Sequence, residues 1–302
     1  MRYALVDLGS NTIRLSVYNT LENGGFESLF SEKEMAGIVN YIDAQGMLSP
    51  EGIERACAAL LRFRTMLGYF GMEEMHVFAT ASLRNIRNTD EAVEAIRQQT
   101  GLSVDVISGE AEARLGYYGA MLDCQLRTGA MFDIGGGSTE ILQFQDGWVT
   151  QAQSLAVGSL NLFTECVAKI WPRKDELDAI RQRIGQALGG ADLPALPAQR
   201  VCGIGGTARA VLKIANLYFG REQNNRTLGL EELDEVTTLL LKRNRQARKL
   251  ILRACPDRIH TILPGSLMMN ALGHALGGDQ IIVSHYGVRE GYLCHKLLSA
   301  TT

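Results

Sequence analysis

The 302-residue chain, with 46% hydrophobic residues, 21% charged residues and 32 glycines, has the size and composition of a soluble globular protein of two ordinary domains. Those proportions exclude a disordered or fibrous chain. A net charge of −3 and a pI near 6.0 mildly repel polyanions, so any polyanionic ligand needs a local basic lining; with no Lys/Arg block or aromatic-basic stripe apparent, a nucleic-acid polymer is not expected as a partner.

Residues 3–8 and 13–19 read as a hairpin, and 26–35 extend its sheet. Ser49-Pro50-Glu51 is a helix start, Ser as N-cap and Pro in the first turn, and Ile53 through Leu67 keep helical spacing. Residues 75–79 read as a buried strand, followed by a loop over Thr80, Ala81, Ser82, Leu83 and Arg84. A helix from about Asp90 ends at Gly101, a strand covers 103–107, and Ser108-Gly109 opens the helix EAEARLGYYGAM. This alternation is the rhythm of an α/β lobe. The second half repeats the opening: a hairpin over 130–145, an Asp146-Gly147 turn and a strand over 148–155. Helices fill much of 158–188, and GGADLPALPAQ reads as a solvent-facing linker. A strand over 201–204 ends in the glycine-rich turn Gly203 to Thr207, which opens another helix. The remainder reads as largely helical, with a strand near 280–284 and a helix from Gly287 to Leu298. The boundary is placed near Cys124, giving lobes 1–124 and 125–302.

One pattern is written twice, 126 positions apart. ALVDLGSNTIRLSVY (4–18) superposes on AMFDIGGGSTEILQF (130–144), with Asp7 on Asp133, Gly9 on Gly135, Ser10 on Gly136 and Asn11 on Gly137. Each copy is an apolar run, an Asp, a small-residue turn and a second apolar run. Gly, Ser and Asn accept the tight conformations in which successive N–H groups form an anion nest. Two such hairpins facing each other suit a polyphosphate gripped from both sides. Ser10, Asn11, Gly136, Gly137, Ser138 and Thr139 form the donor set, aimed at oxygens that carry charge in phosphoryl transfer. Asp7 and Asp133 are candidates for Mg²⁺, which takes few carboxylates plus waters and phosphate oxygens. Glu110 and Glu112 open the helix after Gly109. Two residues apart, they cannot share a face, so one is expected inside as a general base and one in solvent; spacing alone does not choose. Arg84 and Arg289 are candidate phosphate ligands, and Gly205, Gly206 and Thr207 candidates for distal phosphates or a nucleotide.

The six cysteines are scattered without a Cys-x-x-Cys pair and read as small buried hydrophobes in a reducing compartment. The five histidines lack ligand spacing, and His274 reads as packed in an apolar stretch. Strand-like residues begin at Tyr3, and no apolar run approaches membrane-spanning length, so a cytoplasmic protein is expected.

VDLGSNTIRL, ATASLR, ISGEAEARL, FDIGGGSTE, GIGGTARA, RIHTILPG and VSHYGVREGYL, spread over nearly the whole chain, resemble the exopolyphosphatase/guanosine pentaphosphate phosphohydrolase (Ppx/GppA) family. The first, third and fourth segments together are specific to it. The resemblance implies an α/β fold of duplicated actin-like (ribonuclease H-like) ATPase lobes with an interdomain cleft, and Mg²⁺-dependent hydrolysis of terminal phosphoanhydrides. It implies that Glu112, before the Ala-Arg of Ser-Gly-x-x-Glu-Ala-Arg, is the catalytic carboxylate together with Asp133. Ala111 stands where some members carry a second Glu. Asp7, Gly9, Ser10 and Asn11 match the family's first phosphate loop, Asp133, Gly135, Gly136, Gly137, Ser138 and Glu140 its second, and Arg84 the arginine after the strand. Long members continue into a helical HD-like domain and a further domain that help to hold long polyphosphate; with Thr302 as the last residue, the expectation is a preference for short chains.

The leading expectation is an exopolyphosphatase acting with Mg²⁺ on inorganic polyphosphate, with two rivals: the same chemistry on pppGpp, and a non-catalytic sensor of polyphosphate or alarmone. An ATP-dependent small-molecule kinase on this fold is disfavoured by the Ser-Gly-Glu-Ala-Glu-Ala-Arg segment. The resemblance further suggests a homodimer.

Overall fold

The computed structural model describes residues 1–22, 25–193 and 200–299; residues 194–199 of the expected linker lie outside them. Contacts divide the chain into two compact units, Met1–Ala111 and Glu112–Thr302.

In the first unit, β1 (Arg2–Leu8), β2 (Ile13–Thr20) and β3 (Phe26–Glu34) form an antiparallel meander. On the other side of β1, β4 (His76–Ala79) and β5 (Val104–Val106) continue the sheet in parallel, in the order β3-β2-β1-β4-β5. Parallel neighbours require crossovers, supplied by α1 (Pro50–Gly68), α2 (Ala81–Arg84) and α3 (Thr89–Thr100). α1 starts where Ser49 accepts the Gly52 N–H at 3.3 Å. Its Ile53, Ala56, Leu60, Phe63 and Leu67, three or four residues apart, share one core with Val6, Leu8, Leu15 and Val77. The segment read as a loop after β4 is instead the single turn α2, closed by Leu83 and Arg84 N–H groups on Thr80 C=O at 3.3 and 3.0 Å.

The second unit contains α4 (Gly109–Cys124) from Glu112 onward, then β6 (Gly129–Ile134), β7 (Thr139–Gln145) and β8 (Trp148–Leu155). α5 (Ser159–Cys166), α6 (Lys174–Gly189), β9 (Val201–Ile204), α7 (Gly205–Phe219) and β10 (Thr227–Gly229) follow. α8 (Leu230–Lys242), α9 (Arg245–Ala254), α10 (Ile262–Leu276), β11 (Gln280–Val283) and α11 (Val288–Tyr292), which runs on into a π-helical turn, complete it. The sheet order is β10-β11-β9-β6-β7-β8, with β6, β9 and β11 parallel. β10, read as part of a helical stretch, is three residues long and too short to show a period. β6 is buried on both faces: Ala130, Phe132 and Ile134 join the core built with α5 to α10, while Met131 joins Ala113, Tyr117 and Ala120 of α4. α4 therefore covers the second sheet, and the division falls at Ala111 rather than near Cys124.

The duplication extends through the backbone. Asp7 pairs with Arg14 as Asp133 pairs with Glu140, and Leu8 with Ile13 as Ile134 with Thr139. The register shift between β2 and β3 at Val17/Tyr18 recurs between β7 and β8 at Gln143/Phe144, again 126 positions on. Each unit thus carries the ribonuclease H-like order 3-2-1-4-5, extended by β10 in the second.

Cys57, Cys202 and Cys255 are buried, but Cys124, Cys166 and Cys294 are only half-buried, and Cys124 Sγ lies 3.6 Å from Cys202 Sγ. His274 is not packed: its side chain is half exposed, with Nε2 2.8 Å from Asp234 Oδ1. Among the described residues, no helix is long and apolar enough to cross a membrane.

α4 and the start of α11 touch backbone to backbone. A Cβ on Gly119 would overlap Gly287 O, and one on Gly291 would overlap Leu115 O. Gly119→Ala and Gly291→Ala are each expected to cost about 1–3 kcal/mol, the scale of overpacking, read as a lowered midpoint in thermal denaturation. An unchanged midpoint in both would refute this contact.

Candidate active site

The two turns are built alike. Gly9 N–H donates to Thr12 C=O at 3.2 Å, and Gly135 N–H to Ser138 C=O at 2.9 Å. The carbonyls between are tied back. Ser10 and Asn11 C=O accept from Val39 and Gly37 N–H at 3.1 and 2.9 Å. Gly136 C=O accepts from Leu160 and Asn161 N–H at 2.9 and 3.1 Å, and Gly137 C=O from Asn161 Nδ2 at 3.2 Å. Among the described residues, the N–H groups of Ser10, Asn11, Gly136 and Gly137 have no protein acceptor. Each turn therefore offers successive donors to an anion.

The strand ends ahead of the turns are also held in parallel fashion. Ser82 Oγ, in α2, donates to Leu8 C=O, and Thr207 Oγ1, in the first turn of α7, donates to Ile134 C=O at 2.8 Å. Thr139 Oγ1 donates to Val157 C=O at 2.6 Å. With their hydroxyl protons donated to carbonyls, Thr139 and Thr207 help to fix the second turn. Ser138 is buried, and Glu140 is buried with Oε1 accepting from Ser154 Oγ at 2.7 Å. In the first unit, Arg84 Nη1 donates to Ile107 C=O at 3.2 Å.

Glu112 is buried while Glu110 is exposed, which separates the two acids as their spacing requires. Ser108 Oγ accepts the Ala111 N–H at 3.1 Å, so the helix begins one turn before Glu112. In the second unit, Asp133 rests against the α7 turn: Gly205 has φ +79°, and a Cβ there would overlap Asp133 Oδ1. Only glycine satisfies both the backbone and the contact. The Arg258 guanidinium lies over Gly206, where a Cβ would overlap Nη2. Arg209 Nη1 donates to Ser284 and His285 C=O, both at 3.3 Å. Burial pushes its guanidinium below the usual arginine range, Arg289 and Arg258 push the same way, and Asp133 and Glu290 oppose them. Gly205, Gly206, Thr207, Arg289 and Asp133 are thus gathered in one unit.

Arg209 and Arg258 were not among the expected site residues, although GIGGTARA and RIHTILPG contain them. The expectation of no Lys/Arg block also needs correction: residues 242–258, KRNRQARKLILRACPDR, hold seven basic residues and one acid.

Two ribonuclease H-like units, each closing its first hairpin in an anion-receptive turn, make up a duplicated actin-like fold. The model of the Ppx/GppA phosphatase family matches residues 17–300, and the chain belongs to that family, whose members hydrolyse phosphoanhydride bonds. It is 24% identical to exopolyphosphatase 1 of Mycobacterium leprae over 98% of this chain and 90% of that one. It is 27% identical to exopolyphosphatase 2 of Mycobacterium tuberculosis over 96% and 97%. An exopolyphosphatase structure from Cytophaga hutchinsonii superposes with a TM-score of 0.85 at 19% identity, over 99% of this chain and 98% of that one. The Aquifex aeolicus family member gives 0.80 at 23%, over 100% and 99%.

Gly205→Ala is expected to displace Asp133 and lower phosphate release by about 100-fold, the scale of a misplacement near 1 Å. Circular dichroism on the same samples checks that the variant is folded. Full activity in a folded variant would show that the contact between Gly205 and Asp133 is dispensable.

Proposed function

We propose that the protein is an exopolyphosphatase that removes terminal phosphate from inorganic polyphosphate with Mg²⁺. The observation that carries this reading is the pair of turns whose carbonyls are tied back and whose N–H groups lack acceptors. The mycobacterial relatives matched over nearly their whole length are named exopolyphosphatases, which supports polyphosphate as the substrate.

Each turn has the same task. Ser10 and Asn11, and Gly136 and Gly137, hold non-bridging oxygens through backbone N–H groups fixed before substrate arrives. Glu112 accepts a proton from the attacking water as its oxygen bonds to the terminal phosphorus and the bridging P–O bond breaks. The donor set fits Mg²⁺: each turn is preceded by one carboxylate, Asp7 or Asp133. Among the described residues, no three His, Cys, Asp or Glu side chains gather to hold a metal, and Mg²⁺ characteristically completes its shell with water and phosphate oxygens. Bound there, it would neutralise charge on the substrate oxygens.

Phosphate release from tripolyphosphate, long-chain polyphosphate and pppGpp, each with Mg²⁺ and with excess EDTA, tests the reading. Release from polyphosphate that EDTA abolishes is expected; release from pppGpp alone would replace polyphosphate by the alarmone as substrate. Glu112→Gln is expected to lower kcat by about 100-fold or more, the scale of lost general-base catalysis, while polyphosphate binding persists. Near-normal turnover in that variant would remove Glu112 from the mechanism, and binding without turnover in the unaltered protein would favour a sensor.

A further inference from the structure

α9 carries a face for which its own unit provides no counter-charge. Asn244 caps the helix by accepting the Ala247 N–H at 3.0 Å, and Ala247, Leu250, Ile251 and Ala254 are buried. Arg245, Arg248, Lys249, Leu252 and Arg253 are exposed. They stand at i, i+3, i+4, i+7 and i+8, one helical face, and exposed Lys242 precedes them. Over residues 242–258, seven basic residues stand against the single acid Asp257, in a chain whose net charge is −3.

Elsewhere, exposed arginines without an ion pair among the described residues, such as Arg2, Arg87 and Arg127, are scattered singly along the sequence, and others are paired. Arg97, Arg181, Arg183 and Arg221 all pair with a carboxylate. Among the described residues, Lys242, Arg245, Lys249 and Arg253 form neither an ion pair nor a side-chain hydrogen bond, and Arg248 lies 5.9 Å from the Trp171 ring centroid. Like charges four apart on a helix, such as Arg245 with Lys249 and Lys249 with Arg253, repel, and Arg245 also opposes the helix dipole at the N-terminus. A bound polyanion relieves each of these penalties. At its other end, α9 leads through the turn Pro256–Arg258 to Arg258, which lies over Gly206 beside the Asp133 turn.

We propose that the exposed face of α9 binds the distal stretch of a linear polyphosphate, a second binding surface beyond the one that holds the reacting end. This rests on the reading of the protein as a polyphosphate hydrolase. From Arg245 to Arg253 the face runs about 12 Å, so it rewards chain length and leaves the shortest substrates unaffected. Single-stranded nucleic acid is the poorer match, because base recognition uses a series of aromatic platforms and the aromatic side chain stacked with a basic residue of α9 is Trp171 alone among the described residues.

The test uses the full chain and the variant Arg245→Gln/Arg248→Gln/Lys249→Gln/Arg253→Gln. Binding of fluorescently labelled long-chain polyphosphate is followed by anisotropy across a salt series, and kinetics are measured on tripolyphosphate. Loss of four phosphate contacts is expected to raise Kd for the long chain by at least about tenfold and flatten its salt dependence. The thermal midpoint and the tripolyphosphate kinetics should not change. An unchanged long-chain Kd overturns the proposal, as does equal weakening of tripolyphosphate, or single-stranded RNA that competes as well as polyphosphate. Because binding is read without turnover, an unaltered protein that binds the long chain through α9 yet releases no phosphate would sink the hydrolase reading and not this surface.

Discussion

A backbone carbonyl close to a phosphate repels it, so a turn of N–H donors receives an anion only if its carbonyls are bonded elsewhere. Both turns of this protein meet that condition, by different means. In the first unit the 3₁₀ turn Ile38–Tyr41 and the Gly37 before it supply the N–H groups that take Ser10 and Asn11 C=O. In the second, the start of α5 does so for Gly136 and Gly137, with Asn161 serving through both backbone and side chain. The shared result is a pair of donors fixed before any ligand is present, which avoids the reorganisation cost that water would pay around a developing charge.

The same condition explains why strand register matters at a distance from the turn. Side chains alternate along a strand, so a slip of one residue would send Asp7 or Asp133 to the opposite face. Register is held at one end by the turn hydrogen bond and at the other by the repeated shift at Val17/Tyr18 and Gln143/Phe144. Ser82 and Thr207 add a third hold by bonding the last carbonyl of the strand. These hydroxyls come from helices far along the chain, and no local pattern announces them. The hairpins, the leading Asp residues and the small-residue turns were legible in the sequence because alternation, turn chemistry and an internal repeat are local signals. The separation of Glu110 from Glu112 was legible as a geometric necessity, but which one is buried was not; that followed from the resemblance. The carbonyls that the Thr139 and Thr207 hydroxyls bond were not legible, because a hydroxyl's partner cannot be read from spacing. The basic character of 242–258 is not a local signal, because Asn244, Gln246, Ala247 and an apolar Leu-Ile-Leu run interrupt it and helical winding gathers the charges onto one face.

Glu112 depends on a contact of another kind. α4 lies on β6 and β9 through Ala113, Tyr117 and Ala120, while Leu115 and Gly119 meet Gly291 and Gly287 with no room for a side chain. Dense interiors transmit such contacts as rigid constraints rather than soft ones. The helix that carries the buried carboxylate is thereby located against the same segment that carries Arg289 and Glu290. This packing also removes α4 from the first unit, although its sequence follows directly on β5.

The electrostatics of the second unit resolve the apparent conflict between an acidic chain and a polyanionic substrate. Arg209 is half-buried and donates to the Ser284 and His285 carbonyls, with Arg258 and Arg289 disfavouring its charge and Asp133 and Glu290 favouring it. Arg209, Arg258 and Arg289 are close enough to act on one another beside Gly205 and Gly206, with Asp133 and Glu290 among them. Charges beyond a Debye length of about 8 Å are screened at physiological ionic strength, so local groupings such as this one and the exposed cations of α9 weigh more at short range than the overall charge of −3. Asp133 favours the charged form of Arg209 and so offsets the mutual repulsion of the three guanidinium groups. A neutral residue at that position would weaken the arginine cluster before any question of metal arose.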